Sequence, residues 1–286
     1  MVAHKAAQID RFILLPDGRR LGYAEYGLPD GSPVLFFHGA PGSWHIHADM
    51  ADIATRRGIR LIAPERPGYG LSDPQPERSI LDWSDDIAVL TDTLGLGRFA
   101  IIGFSMGSAY ALACAYRLPG RVTKIALAGA LAPLDVPGVT EGISPSVSGL
   151  YALAQSNPVE LRNTLAAVAP SPAALVAAMS ASLPEWDKNE VNKRMAEFEA
   201  EYTQALRGGV EGVASDFVLV SKAWGFPLDS LNTETHLWCG TDDCNTPPAM
   251  TAYLSSILPN SRTFMLPGEG HLSLYTHWEG VLERLV

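Results

Sequence analysis

Three cysteines in 286 residues, charged side chains at only 18%, and no long apolar run are the scarcities that first bound this sequence. The cysteines (Cys114, Cys239 and Cys244) are odd in number and lack metal-ligand spacing, which excludes a disulfide framework and fits a reducing compartment. Cys239 and Cys244 are near enough in sequence to meet, although two separate thiols are expected. No stretch approaches the roughly 18 apolar residues of a membrane span. Met1 to Asp10 has no apolar leader core, so the expected location is cytoplasmic. Net charge is −10, and basic residues gather only in pairs such as Arg19-Arg20 and Arg56-Arg57. Nucleic acid and anionic membrane surfaces are therefore not expected partners. A hydrophobic share of 47% indicates a sizeable core and no disorder signature.

What the chain does have is alternation. Phe12–Leu15 and Leu21–Tyr26 read as strands joined through the turn Pro16-Asp17-Gly18. Val34-Leu35-Phe36-Phe37 is a continuous apolar run of the kind buried on both faces. A helix with Ile46, Met50 and Ile53 on one face stops at Gly58, and Ile59–Ala63 follows as a strand. Ile80, Trp83, Ile87, Leu90 and Leu94 mark another helix, with Ser79 expected at its N-cap and Gly95 past its end. Phe99–Ile102 and Ile125–Ala130 flank an alanine-rich helix. This β-α-β order implies a parallel sheet covered on both faces. From Pro133 to Leu231 the strand signal disappears and helical signals take over. One expected helix begins near Asp187, whose spacing to Glu190 suits a capping box, and carries Val191, Met195, Phe198, Tyr202 and Leu206. The alternation resumes with His236–Cys239, a helix around Ala249–Ile257, Arg262–Leu266 and a helix near His277–Val286. The expected division is a core of residues 1–132 and 232–286, with residues 133–231 forming a helical cap.

The chemistry centres on Gly103-Phe104-Ser105-Met106-Gly107, between a β-branched strand and a small-residue helix. A serine in that sharp turn adopts strained angles and projects above the sheet, so Ser105 is the expected nucleophile. Its hydroxyl needs a base. Of the seven histidines (His4, His38, His45, His47, His236, His271 and His277), His271 follows the last strand in a glycine-rich loop, at the sheet edge where open α/β sheets hold ligands. An acid must orient that base, and Asp242 and Asp243 both lie after the penultimate strand, with nothing in the spacing to separate them. The oxyanion donors are expected to be the N–H of Met106 and that of Ala40 in the loop His38-Gly39-Ala40-Pro41-Gly42-Ser43. Trp44 and Phe104 are expected to line the acyl pocket. No metal site is expected at His38, His45 and His47, which lack acidic or cysteine partners at ligand spacing. Glu197 and Glu201 stand one turn apart beside an apolar stripe and read as a solvated helix face.

The segments His38-Gly39-Ala40-Pro41-Gly42, Glu65-Arg66-Pro67-Gly68-Tyr69-Gly70-Leu71-Ser72-Asp73, Gly103–Gly107, Gly240–Pro247 and Gly270-His271 together resemble the α/β-hydrolase superfamily. The likeness is to its capped esterase, lipase and proline-iminopeptidase-like group and runs from Phe12 to the C-terminus. It implies an α/β-hydrolase fold: a mostly parallel eight-stranded sheet flanked by helices, with a helical cap between strands six and seven. It also implies Asp243 rather than Asp242 as the acid. Ser105 departs from the aspartate nucleophile of related epoxide hydrolases and haloalkane dehalogenases, and Met106 from the tryptophan common in iminopeptidases. Glu65 stands where an aspartate is usual. The expected activity is hydrolysis of a small or medium, largely uncharged ester without a cofactor. Lactone, carbon–carbon, N-terminal proline and perhydrolysis chemistry, or a ligand receptor on the same frame, are the alternatives. Oligomeric state is not legible.

Overall fold

The computed structural model describes residues 8–286; His4 and most of Met1–Asp10 lie outside them. The chain opens with β1 (Gln8–Leu14), β2 (Arg20–Gly27) and β3 (Ser32–Phe37), followed by α1 (Ala48–Arg56), β4 (Ile59–Pro64), α2 (Asp82–Thr93), β5 (Phe99–Phe104), α3 (Gly107–Arg117) and β6 (Val122–Ala128). Helices α4 (Pro145–Ser156), α5 (Pro158–Val168), α6 (Pro172–Ser180), α7 (Glu185–Lys193), α8 (Met195–Ala205) and α9 (Glu211–Val220) come next, before β7 (Glu234–Gly240), α10 (Pro248–Ile257), β8 (Ser261–Leu266) and α11 (Ser273–Leu285).

The strands form one eight-stranded sheet in the order β1-β2-β4-β3-β5-β6-β7-β8. β2 runs antiparallel to both β1 and β4, and the remaining pairs are parallel. Because β3 and β5 to β8 share one direction, the loops leaving them gather along a single edge. Every residue of β5 is buried, and alternate side chains serve opposite faces. Ile101 belongs to the core cluster that holds Trp83 and Ile87 of α2 and Leu112 of α3, whereas Ile102 belongs to the one that holds Met50 of α1 and Trp278 of α11. That double burial explains why these strands read as unbroken apolar runs.

Three of the prolines that punctuate the middle of the chain occupy the first turns of α4, α5 and α6. There the missing N–H removes no helical bond and the fixed φ suits helix entry. The single helix expected from Asp187 onward is two helices, α7 and α8, broken at Arg194 with φ −122° and ψ 22°. Nor does Asp187 cap it: α7 starts at Glu185 after Pro184, and the Asp187 side chain is committed elsewhere. Likewise Ser79 is not the cap of α2; its N–H donates to Asp82 Oδ2 at 2.7 Å. Gly95 does end that helix in the left-handed region, at φ 70°.

Glu65, at the end of β4, is fully buried. Its carboxyl accepts the Leu71 N–H at 2.7 Å and Gln204 Nε2 at 2.8 Å. Burial pushes its pKa from 4.5 to about 7, against the pull of those hydrogen bonds. A carboxyl whose folded pKa is raised contributes stability that is present below the unfolded pKa and is lost as pH rises through the folded value. Raising the pH from 5 to 8 is therefore expected to cost the parent about 2–3 kcal/mol at this site. Glu65→Gln, which mimics the protonated form, should flatten that dependence. Urea unfolding of both proteins at the two pH values checks it, and parallel curves would refute it.

Candidate active site

Ser105 follows β5, near the middle of the sheet, and holds φ 53°, a left-handed angle that costs an L-residue about 1–2 kcal/mol. Its N–H donates to Ala128 O at 2.9 Å, and its carbonyl receives the Ser108 N–H at 3.0 Å and the Ser108 hydroxyl. The turn closes this tightly because Gly107 lets the start of α3 press on the end of β3. A Cβ there would collide with the Phe37 and His38 carbonyls.

Along the same edge, the loop after β7 presents Asp243. This side chain is 3% exposed and its Oδ1 accepts the N–H groups of Asn245 (2.8 Å) and Thr246 (2.9 Å). Oδ2 lies 2.9 Å from His271 Nδ1 and accepts the Thr246 hydroxyl at 2.8 Å. Asp242, by contrast, is exposed and serves the turn, its N–H donating to Glu269 O at 2.9 Å. The two aspartates that spacing left equal are thus separated by burial and by partner. Burial disfavours a charged His271, but the Asp243 charge and hydrogen bond, with Asp187 adding to them, raise its pKa above the ordinary histidine range.

Ser105 and His271 line one cavity, together with Gly39, Ala40, Phe104 and Met106. Among the described residues no hydrogen bond yet joins Ser105 to the imidazole; such contacts commonly tighten only when substrate is bound. The opposite wall comes from the helices between β6 and β7, including Tyr151, Val176, Phe198, Glu201 and Phe217. The cavity is small, about 80 Å³, against the 10–15 Å³ or so that a single water needs. Its lining contains no lysine or arginine.

Trp44 does not line this cavity. It is buried in the core on the α1 and α11 side of the sheet, with its carbonyl accepting the Tyr26 hydroxyl. Adjacency in sequence to the Ala40 loop carried it past the cavity rather than into it. Glu197 and Glu201 also depart from the expected solvated face. Glu197 pairs with His45 Nε2 at 2.8 Å. Glu201 is 5% exposed and forms part of the cavity wall, 3.7 Å from His47 Nε2.

Sequence reasoning missed the network behind the Ala40 loop. Arg66 is fully buried, and its guanidinium donates to the carbonyls of His38 and Gly39 and, through Nε, to Asp216 Oδ2 at 2.7 Å. Asp216, on α9, also accepts from Arg78, Tyr69 and Tyr110. Burial opposes its ionisation, but the Arg66 and Arg78 charges outweigh that and hold its pKa at about 2. His38 completes the scaffold. Its Nδ1 lies 2.8 Å from Gly39 O, and its Nε2 accepts the Arg66 N–H at 3.2 Å. Burial, then the Arg66 charge, pushes His38 well below the ordinary histidine range, so it serves as a neutral strut with one donor and one acceptor. A signal for Asp216 was present: it is the lone charge in the apolar stretch Gly212–Val220.

Residues 32–277 match the alpha/beta hydrolase fold family, and the chain belongs to it. A non-heme chloroperoxidase of Streptomyces lividans is 35% identical over 130 residues, covering 43% of this chain and 46% of its own length. A proline iminopeptidase of Xylella fastidiosa is 32% identical over 120 residues, or 41% of this chain and 38% of the relative. The chain thus spans less than half the length of each. A 2-hydroxy-6-oxo-2,4-heptadienoate hydrolase of Pseudomonas putida matches nearly end to end, 26% identical over 283 residues covering 93% of this chain and 90% of the relative. Among solved structures, an esterase from a Rhodococcus species superposes with a TM-score of 0.70 at 22% identity, over 96% of this chain and 99% of that one. That likeness speaks for the fold alone. Among the described residues no helix is long and apolar enough to cross a membrane.

Proposed function

We propose that this chain is a serine hydrolase that cleaves small, largely uncharged carboxylic esters through an acyl-enzyme. The observation that carries the reading is a left-handed Ser105 at the end of a central strand, on the same cavity as a His271–Asp243 pair. His271 takes the Ser105 proton as the oxygen attacks the ester carbonyl, and Asp243 holds the imidazole in the right tautomer and stabilises the imidazolium. The N–H groups of Ala40 and Met106 receive the oxyanion. His271 then protonates the leaving alcohol, and water repeats the cycle on the acyl-enzyme. No cofactor takes part. The three free cysteines suit work in a reducing, cytoplasmic setting.

Residues 133–231 act in this reading as a cap that closes the cavity and excludes water. Cavity size favours a short acyl group, with Phe104 against it. Glu201 on the wall, and no lysine or arginine in the lining, favour an uncharged substrate over an anionic acid such as the dienoate named for the Pseudomonas putida relative.

A fluorophosphonate probe followed by peptide mapping tests the mechanism. The expected result is one labelled peptide, modified at Ser105, forming faster as pH rises and His271 loses its proton. Labelling elsewhere, or none, would remove Ser105 from the reaction. A panel of p-nitrophenyl acetate, a lactone, a proline anilide and a dienoate keto-acid tests the substrate, and faster turnover of any but the first replaces the ester reading.

A further inference from the structure

Asp187 lies on α7, within the helical insertion, yet its carboxylate turns toward the loop that carries His271. The side chain is fully buried. Oδ2 accepts the His271 N–H at 3.0 Å and Oδ1 accepts the Leu272 N–H at 2.8 Å. Leu272 immediately precedes α11, so one acid serves two consecutive amides at the mouth of that helix, where backbone donors lack helical partners. Gly270 makes room for it. A Cβ at that position would land on the Asp187 carboxylate.

We propose that Asp187 is a positioning residue for His271: it fixes the backbone that aims the imidazole and sets a second negative charge beside it, so that the seat of the insertion is felt by the base. This rests on His271 being the base of the proposed reaction.

The physical case has two parts. A carboxylate that holds two amides through charge-assisted bonds defines both the height and the rotation of the loop, where one bond would leave a pivot. The electrostatic part concerns the imidazolium that must form as the serine oxygen attacks. The groups facing the ring are Asp243 and Thr246 from the loop after β7, at 2.9 and 3.1 Å from Nδ1, the Phe104 ring after β5, at 5.1 Å between centroids, and the Asp187 carboxylate from α7. Against the cost of burial, Asp243 and then Asp187 favour the protonated ring. Asp243 orients the ring directly, whereas Asp187 acts through the main chain and through its field.

Two variants test this in the full chain, Asp187→Asn and Gly270→Ala. The second leaves every acid in place but drives the Asp187 carboxylate from its seat. NMR titration of the His271 ring and the pH dependence of kcat/KM for p-nitrophenyl acetate are the readouts. In both variants His271 should titrate at lower pH than in the parent, and the acid limb of the activity profile should move with it. kcat should fall about ten- to a hundred-fold, as expected for a misplaced catalytic group, with KM little changed. In a chain already carrying Asp187→Ala, adding Gly270→Ala should cost nothing further. An unmoved titration and an unmoved acid limb in folded variants would overturn the proposal, whatever the loss of turnover. A parent that hydrolyses no ester sinks the ester reading alone, because the His271 titration still decides this one.

Discussion

A chain carrying Ser105→Ala is expected to lose about 10⁴-fold or more of its turnover of p-nitrophenyl acetate, the scale set by removal of the nucleophile in serine hydrolases. The Asp243–His271 pair should survive the change, since neither bonds to the Ser105 side chain. Ser105→Gly should be equally inactive but about 0.5–1 kcal/mol more stable than the alanine variant, because glycine adopts positive φ without a Cβ penalty. Urea unfolding of the two inactive proteins measures that gap. Together they separate the two things proposed for the turn: that it holds a reactive oxygen, and that it stores strain to do so. Full turnover by Ser105→Ala would end the case for a serine nucleophile.

The second large effect is expected at Asp216. Asp216→Asn leaves Arg66 and Arg78 buried without their counter-charge, and breaking a buried ion pair from one side costs about 3–5 kcal/mol. The damage should reach chemistry as well. Arg66 is the donor to the His38 and Gly39 carbonyls, and these immediately precede the proposed oxyanion donor at Ala40. A drop in kcat alongside a lowered denaturation midpoint is the expected pair of results. Replacing the whole triad (Arg66→Met, Arg78→Met and Asp216→Leu) should recover part of the stability, because no charge is then stranded. It should recover none of the activity, since the His38 carbonyl loses its donor and the Gly39 carbonyl keeps only the His38 ring. An Asp216→Asn protein as stable as the parent would show that the triad does not bear on folding.

The strands and the serine turn were legible in the chain because their physics is local. Runs such as Phe99–Ile102 and Ile59–Ala63 announce double-sided burial, and Gly103 and Gly107 announce a close approach of backbone. The pairing of His271 with Asp243 needed both the family resemblance and the fold, since Asp242 and Asp243 differ only in which way the turn faces them. Acids on helices were the least legible. Asp187, Glu201 and Asp216 carry the letters of solvent-facing residues, and only tertiary contacts turn them inward. Arg194 broke an apparently continuous helical pattern, and its backbone at φ −122° and ψ 22° separates α7 from α8.

The helices between β6 and β7 are fastened by side chains to the loops and to α1 around the sheet rather than merely resting on them. Asp216 binds Arg66 and Arg78, Gln204 binds Glu65, Asp187 binds the His271 loop, Glu197 binds His45 and Arg194 binds Asp49. This stretch is therefore a poor candidate for wholesale grafting. A chimera that exchanges these helices for those of another hydrolase must also import matching rivets, or recreate them on the recipient. Without them it inherits a new roof over a loosened foundation.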